Sequence, residues 1–163
     1  MTSTMHSAKV TLPADDQILI TREFDAPAHL LWEAWTNPEL VRRWWHARRG
    51  EVIDVEIDLR VGGKWRHVMM AEGGVEVGFH GEYREIVPCE RLVATEIYEG
   101  IPNGEEVPAV NTLTLTEVDG RTRLEILVQH TDQLSRDMHV NSGMEVGLQD
   151  ALDLLEEVAR SLA

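Results

Sequence analysis

The sequence predicts an α+β fold in which a seven-stranded antiparallel sheet wraps around one long C-terminal helix, with two short helices after the first strand. Three observations carry this expectation. Asn141 to Leu162 places Met144, Leu148, Ala151, Leu152, Leu155, Val158, Ala159 and Leu162 at three-and-four spacing, with Glu145, Asp150, Asp153, Glu156, Glu157 and Arg160 opposite. From Glu51 to His130 the period is two, interrupted at Gly62-Gly63, Gly73-Gly74, Pro88, the 100–106 segment and Asp119-Gly120. A sheet with one apolar face must bury it, and the long amphipathic segment, about 33 Å if helical, is the cover available.

The elements follow in order. Residues 1–16 begin with small and polar residues of no period and are expected to form a flexible tail, leaving 17–163 as one domain. Gln17 to Phe24 reads as the first strand, with Ile18, Ile20 and Phe24 on one parity. Pro27 suits the first position of a helix burying Leu30, Leu31, Ala34 and Trp35, which ends at Asn37-Pro38. A second short helix from Pro38 is expected to carry Leu40, Val41, Trp44 and Trp45. Asp119-Gly120 suits a two-residue type I′ turn, so Val118 should face Arg121, with Leu113, Leu115, Leu124, Ile126 and Val128 on one face. The earlier Gly73-Gly74 hairpin is expected to turn through three residues, Glu72 to Gly74, because Trp65, His67, Met69, Val77, Phe79, Gly81 and Tyr83 then share a face, gathering more apolar area on the core side, and His80 points outward; a two-residue turn would instead set His80 opposite His67.

Length and charge narrow the functions. The 163 residues suffice for a sizeable core, and 43% apolar with 27% charged residues is a globular composition. A formal charge of −14 repels nucleic acid and anionic lipid surfaces, and no apolar run is long enough to span a bilayer. The single cysteine, Cys89, and the absence of a secretory pattern at the start point to the cytoplasm. With Glu90 beside it and no histidine nearby in sequence, Cys89 is expected to be neither catalytic nor metal-bound.

Several motifs then occur in a specific order: Phe24-Asp25-Ala26-Pro27, Trp35-Thr36-Asn37-Pro38-Glu39-Leu40 with Arg43-Trp44-Trp45, and Arg60-Val61-Gly62-Gly63-Lys64-Trp65 with Met69. They continue as Gly81-Glu82-Tyr83-Arg84-Glu85-Ile86, Arg91-Leu92-Val93-Ala94-Thr95, Thr112-Leu113-Thr114-Leu115-Thr116-Glu117, Gly120-Arg121-Thr122-Arg123-Leu124 and Gly143-Met144. Together they resemble the SRPBCC or START-like helix-grip superfamily, in the branch of bacterial homologues of the heat-shock-protein-90 ATPase activator. The resemblance implies a helix-grip fold and a role among ligand binders, polyketide cyclases or aromatases, and co-chaperone modules. Where the last helix of this family often carries Gly-Trp, this chain has Gly147-Leu148, a change that enlarges the space beside it.

A search for chemistry is mostly negative. No phosphate-binding loop, nucleophile elbow or zinc-binding spacing is present, and the seven histidines do not pair at helical spacing, so neither cofactor nor metal is expected. The reading the residues favour is a non-catalytic pocket for a small hydrophobic or aromatic molecule, walled by Trp65, Met69, Phe79, Tyr83, Leu113, Ile126, Val128, Met144 and Leu148. Trp35 and Trp45 border its mouth, and His67 or His130 supplies a polar contact. An anionic ligand is disfavoured by the net charge and by the absence of Arg or Lys on the inner parity of the Asp119-Gly120 hairpin. Two alternatives stay open: a cyclase-like enzyme using His67, Tyr83 or Glu96 as acid or base, and a co-chaperone module acting through its surface. A homodimer and a chaperone are the protein partners left open.

Overall fold

The computed structural model describes residues 7–100 and 108–163. The chain order is β1 (Lys9–Thr11), β2 (Gln17–Phe24), α1 (Ala28–Thr36), α2 (Pro38–Val41), β3 (Gly50–Ile57), β4 (Lys64–Ala71), β5 (Val75–Val87), β6 (Arg91–Tyr98), β7 (Ala109–Val118), β8 (Arg121–Gln129), α3 (Gln133–Val140) and α4 (Met144–Ser161). All strands join one antiparallel sheet of order β1-β2-β8-β7-β6-β5-β4-β3. The alternating pattern and the two tight turns set its register. Val118 faces Arg121 and Leu113 faces Ile126, while Ala71 faces Val75, His67 faces Phe79 and Trp65 faces Gly81. The three-residue turn is therefore the one formed, through left-handed Gly73 and Gly74, and His80 points outward to Glu99 (2.8 Å).

Four details differ from the sequence-based expectation. The sheet has eight strands among the described residues, not seven, because Lys9–Thr11 pairs with β2 inside the segment expected to be tail. Gln149 anchors it, its side-chain amide bonding both backbone groups of Ala8 (2.9 and 2.8 Å); three residues are too few for a period to register. The second helix is confined to Pro38–Val41, capped by the Asn37 side chain accepting from the Glu39 N–H (3.1 Å). Trp44 and Trp45 follow on turns that run through two left-handed residues, Ala47 and Arg48 (φ 51° and 59°), into β3.

The helix expected from Asn141 starts three residues later, and a separate helix, α3, precedes it. Asn141 caps α3, and Gly143 (φ 83°) takes the left-handed conformation that only glycine adopts at little cost, so α4 begins at Met144. In α3 the apolar pair Leu134 and Met138 is exposed (70% and 61%) and does not fix the helix to the core. It is held instead by polar contacts: the Asp132 cap on Ser135 (2.7 Å) and the buried Arg136, which donates to the Ala14 carbonyl (2.8 Å). The 101–107 part of the expected loop, including Glu105 and Glu106, lies outside the described residues.

The core has two parts along α4. Its C-terminal half packs tightly, with Leu152, Leu155, Val158 and Ala159 buried against Phe24, Leu31 and Leu124 in one cluster. Arg22, buried on the inner face of β2, joins this half through Asp153 (2.6 Å) and Glu156 (3.3 Å). The N-terminal half, bearing Met144, Leu148 and Ala151, is only partly buried, and beneath it the sheet stands away. Among the described residues no helix is long and apolar enough to cross a membrane.

Candidate functional site

The space beneath the N-terminal half of α4 is a cavity of about 390 Å³. The strand alternation that places Leu113, Ile126 and Val128 on the core side of β7 and β8 also turns Trp65, His67, Met69, Phe79 and Tyr83 inward from β4 and β5. Met144 and Leu148 face them from α4, and Trp35 and Trp45 close one side from α1 and the turn after α2. Aromatic rings form much of this wall. The Trp45 ring meets His67 and Phe79 edge-on at centroid distances of 5.2 and 5.8 Å, and Trp65 meets His67 at 4.9 Å.

Trp65 owes its position to Gly81. Its indole lies across β5 where Gly81 has no side chain, and the indole N–H donates to the Thr95 carbonyl on β6 (3.0 Å). Trp44 is fixed likewise, donating to the Ala34 carbonyl (2.8 Å) while stacking at a tilt on Trp35 (4.9 Å).

Of the thirteen residues read from the sequence as lining a pocket, His130 alone is not placed on the cavity. β8 ends at Gln129, the His130 N–H bonds the Asp16 carbonyl, and its imidazole turns to His139 Nδ1 (3.0 Å). His139, carried by the unanticipated α3, borders the cavity in its place. The three side chains considered as acid or base, His67, Tyr83 and Glu96, all border it as well. Asn111 was legible but overlooked, since it shares the parity of Leu113 and Leu115.

The cavity's polar groups are few and strongly perturbed. Burial pulls the His67 imidazole from 6.5 down to about 4, so it is neutral at pH 7, and its Nε2 is buried without a hydrogen-bond partner among the described residues. Burial lowers His139 to about 4 too, with His130 adding repulsion, and lowers His130 against the pull of Asp132 and Asp16. The Tyr83 phenol is raised by burial and by Asp58. Burial raises the Glu96 carboxyl, and the neighbouring Asn111 side chain opposes that shift. Glu96 is half-buried and borders the cavity.

A second concavity, about 550 Å³, is an open groove between the Cys89 turn and β7, bordered by Val87, Glu90, Arg91, Thr116 and Glu117. Cys89 is half-buried there with a left-handed backbone (φ 65°), and Glu117 is engaged in capping α1 at the Ala28 N–H (2.7 Å). The aromatic side chains gather at the cavity under α4, whereas none borders this groove. Among the described residues no three His, Cys, Asp or Glu side chains gather as metal ligands would.

A curved antiparallel sheet gripping a C-terminal helix over an internal cavity defines a helix-grip protein. Residues 25–160 match the family described as Activator of Hsp90 ATPase homolog 1-like protein, and the chain belongs to that family. The solved structure of a protein from Rhodobacter sphaeroides is similar with a TM-score of 0.86 at 25% identity, covering 96% of this chain and 100% of that one. Protein NE0264 from Nitrosomonas europaea gives 0.82 at 24% identity over 93% and 98% of the two chains. Protein Ms6760 from Mycobacterium smegmatis gives 0.82 at 21% over 92% and 94%. No curated protein matches the chain. The bacterial branch of the activator family indicated by the sequence motifs is thus the right one, and its fold is compatible with ligand binding or a co-chaperone role.

Proposed function

We propose that the protein binds a small hydrophobic or aromatic molecule in the cavity between the sheet and α4, with the chain from β1 onward acting as one domain in the cytoplasm. The observation that supports this reading is the cavity itself: about 390 Å³, walled by Trp, Phe, Met and Leu side chains with few polar groups among them. Its volume falls in the range of about 300–1,000 Å³ typical of small-molecule sites. The walls approach from four directions, three of them on regular elements and one on the Trp45 turn, which favours a preformed site over one made on binding.

The test is titration with the neutral fluorophore N-phenylnaphthylamine, followed by its emission and by tryptophan quenching. Saturable binding is expected, and Leu148→Trp, which fills the space beside α4, should weaken it by about tenfold or more. A wild-type protein that does not saturate, or a Leu148→Trp variant that binds equally well, overturns the reading. The family match favours a second reading, a module that stimulates a heat-shock ATPase through its surface. An increase in the ATPase rate of a bacterial Hsp90, unchanged by Leu148→Trp, would support it.

A further inference from the structure

The cavity's polar groups point to the head group it takes, an inference that rests on the binding reading above. Among the described lining residues there is no Lys or Arg, and Glu96 is the sole carboxylic acid. Register places Glu96 opposite Ala109, with Asn111 diagonally across on the same inner parity and opposite Ala94. Both cross-strand partners are alanines, so the polar pair is open to the space above the sheet. The Asn111 Oδ1 is buried with no hydrogen-bond partner among the described residues. An ionised carboxylate and an amide oxygen both only accept, so Glu96 and Asn111 Oδ1 each call for a donor. The pair therefore offers acceptors, one charged and one neutral.

We propose that the cavity takes a small hydrophobic amine, its N–H groups donating to a Glu96 carboxylate oxygen and to Asn111 Oδ1, its apolar body against Trp45, Trp65 and Phe79. An ammonium supplies several donors and the countercharge that a buried carboxylate lacks. A hydroxyl supplies one donor and no charge, and an anion meets acceptors with no cation to balance it. Aromatic faces add to the attraction for a cation, and Trp65 is held close by, since Thr95, whose carbonyl takes its indole N–H (3.0 Å), precedes Glu96. The formal charge of −14 draws cations toward the protein as a whole. Burial already holds the Glu96 carboxyl above its ordinary range, a strain that an arriving ammonium relieves.

The test is competition against bound N-phenylnaphthylamine by three compounds of matched shape: naphthylethylamine, naphthylethanol and naphthylacetate, at neutral pH. The amine should displace the probe at least about tenfold more effectively than the alcohol, and the carboxylate least well. Glu96→Gln keeps the side-chain volume and should bring the amine to the affinity of the alcohol, each measured against the variant's own probe affinity. Equal affinities of amine and alcohol on the wild-type protein overturn the proposal, as does an amine preference that survives Glu96→Gln. Should that variant fail to fold, the wild-type comparison decides alone. A probe that does not bind at all is a different result, removing the cavity reading and this proposal with it.

Discussion

Gly81→Ala should destabilise the protein far more than the same change three residues earlier on the same strand. A Cβ at Gly81 would meet the Thr95 carbonyl oxygen and lie 2.7 Å from the Trp65 indole nitrogen. Neither is free to move: one is backbone in the β5–β6 part of the sheet, the other a buried ring bonded to that same oxygen. Expelling the indole leaves a buried N–H and a carbonyl unpaired, at about 1–3 kcal/mol. Overpacking the strand adds about 1–3 kcal/mol. A total of roughly 3–5 kcal/mol is a large share of the 5–15 kcal/mol that typically holds a domain folded. At about 2–4 °C per kcal/mol, Tm should fall on the order of 10 °C. Gly78→Ala is the control, because its Cβ would meet the end of the Glu99 side chain (2.7 Å to Oε1), which can swing into solvent at a cost of about 1 kcal/mol or less. Urea denaturation followed by circular dichroism measures both, with tryptophan emission reporting the displaced indole. Equal costs at the two positions would refute the argument that Trp65 is held by the gap at Gly81.

The β7–β8 register is tested by adjacent residues: Leu124→Asp puts a charge where exposure is 0% and should cost about 3–5 kcal/mol or prevent folding, whereas Glu125→Gln on the opposite face should stay within about 0.5 kcal/mol, as read by urea melts. The pH dependence has a definite sign. With His67 lowered from 6.5 to about 4, the unfolded chain takes up a proton that the folded one refuses, so its contribution is complete above pH 6.5 and is lost progressively as pH falls toward 4. The loss reaches roughly 3 kcal/mol, and His67→Gln should remove that share of the stability profile while leaving the parallel loss from His139, which burial lowers to about 4 as well.

What was legible in the sequence was whatever depended on period and turn chemistry. Asp119-Gly120 and the apolar alternation around it specify one pairing, and a slip of one residue would have turned Leu113 and Ile126 out of the core. The same logic resolved the Glu72–Gly74 turn and hence the shared face of Trp65, His67 and Phe79. What escaped lacks a period. Lys9–Thr11 is three residues long and is anchored at Ala8, just before it, by a side chain 141 positions away in sequence, that of Gln149. α3 turns its apolar residues outward and is fixed by Asp132 and Arg136, so His139 could not be placed on the cavity nor His130 removed from it. The shift between Tyr83 and Glu85 in the β5–β6 pairing likewise hid which β6 residues stand beside Trp65.

The order in which the sheet is assembled bears on how the chain acquires its fold. β3 through β8 pair in sequence order, each with the strand next to it, so this meander closes through short loops. β2 pairs with β8, from Gln17 against Gln129 to Phe24 against Thr122, and so cannot find its place until most of the chain exists. The element that covers the inner face, α4, comes later still. A ribosome therefore releases an apolar sheet face before its cover, and the residues that later wall the cavity are those that stand uncovered in the interval. Docking of β2 and α4, tied to each other by Arg22 with Asp153 and Glu156, is then the closing event that converts a sticky meander into a lined chamber.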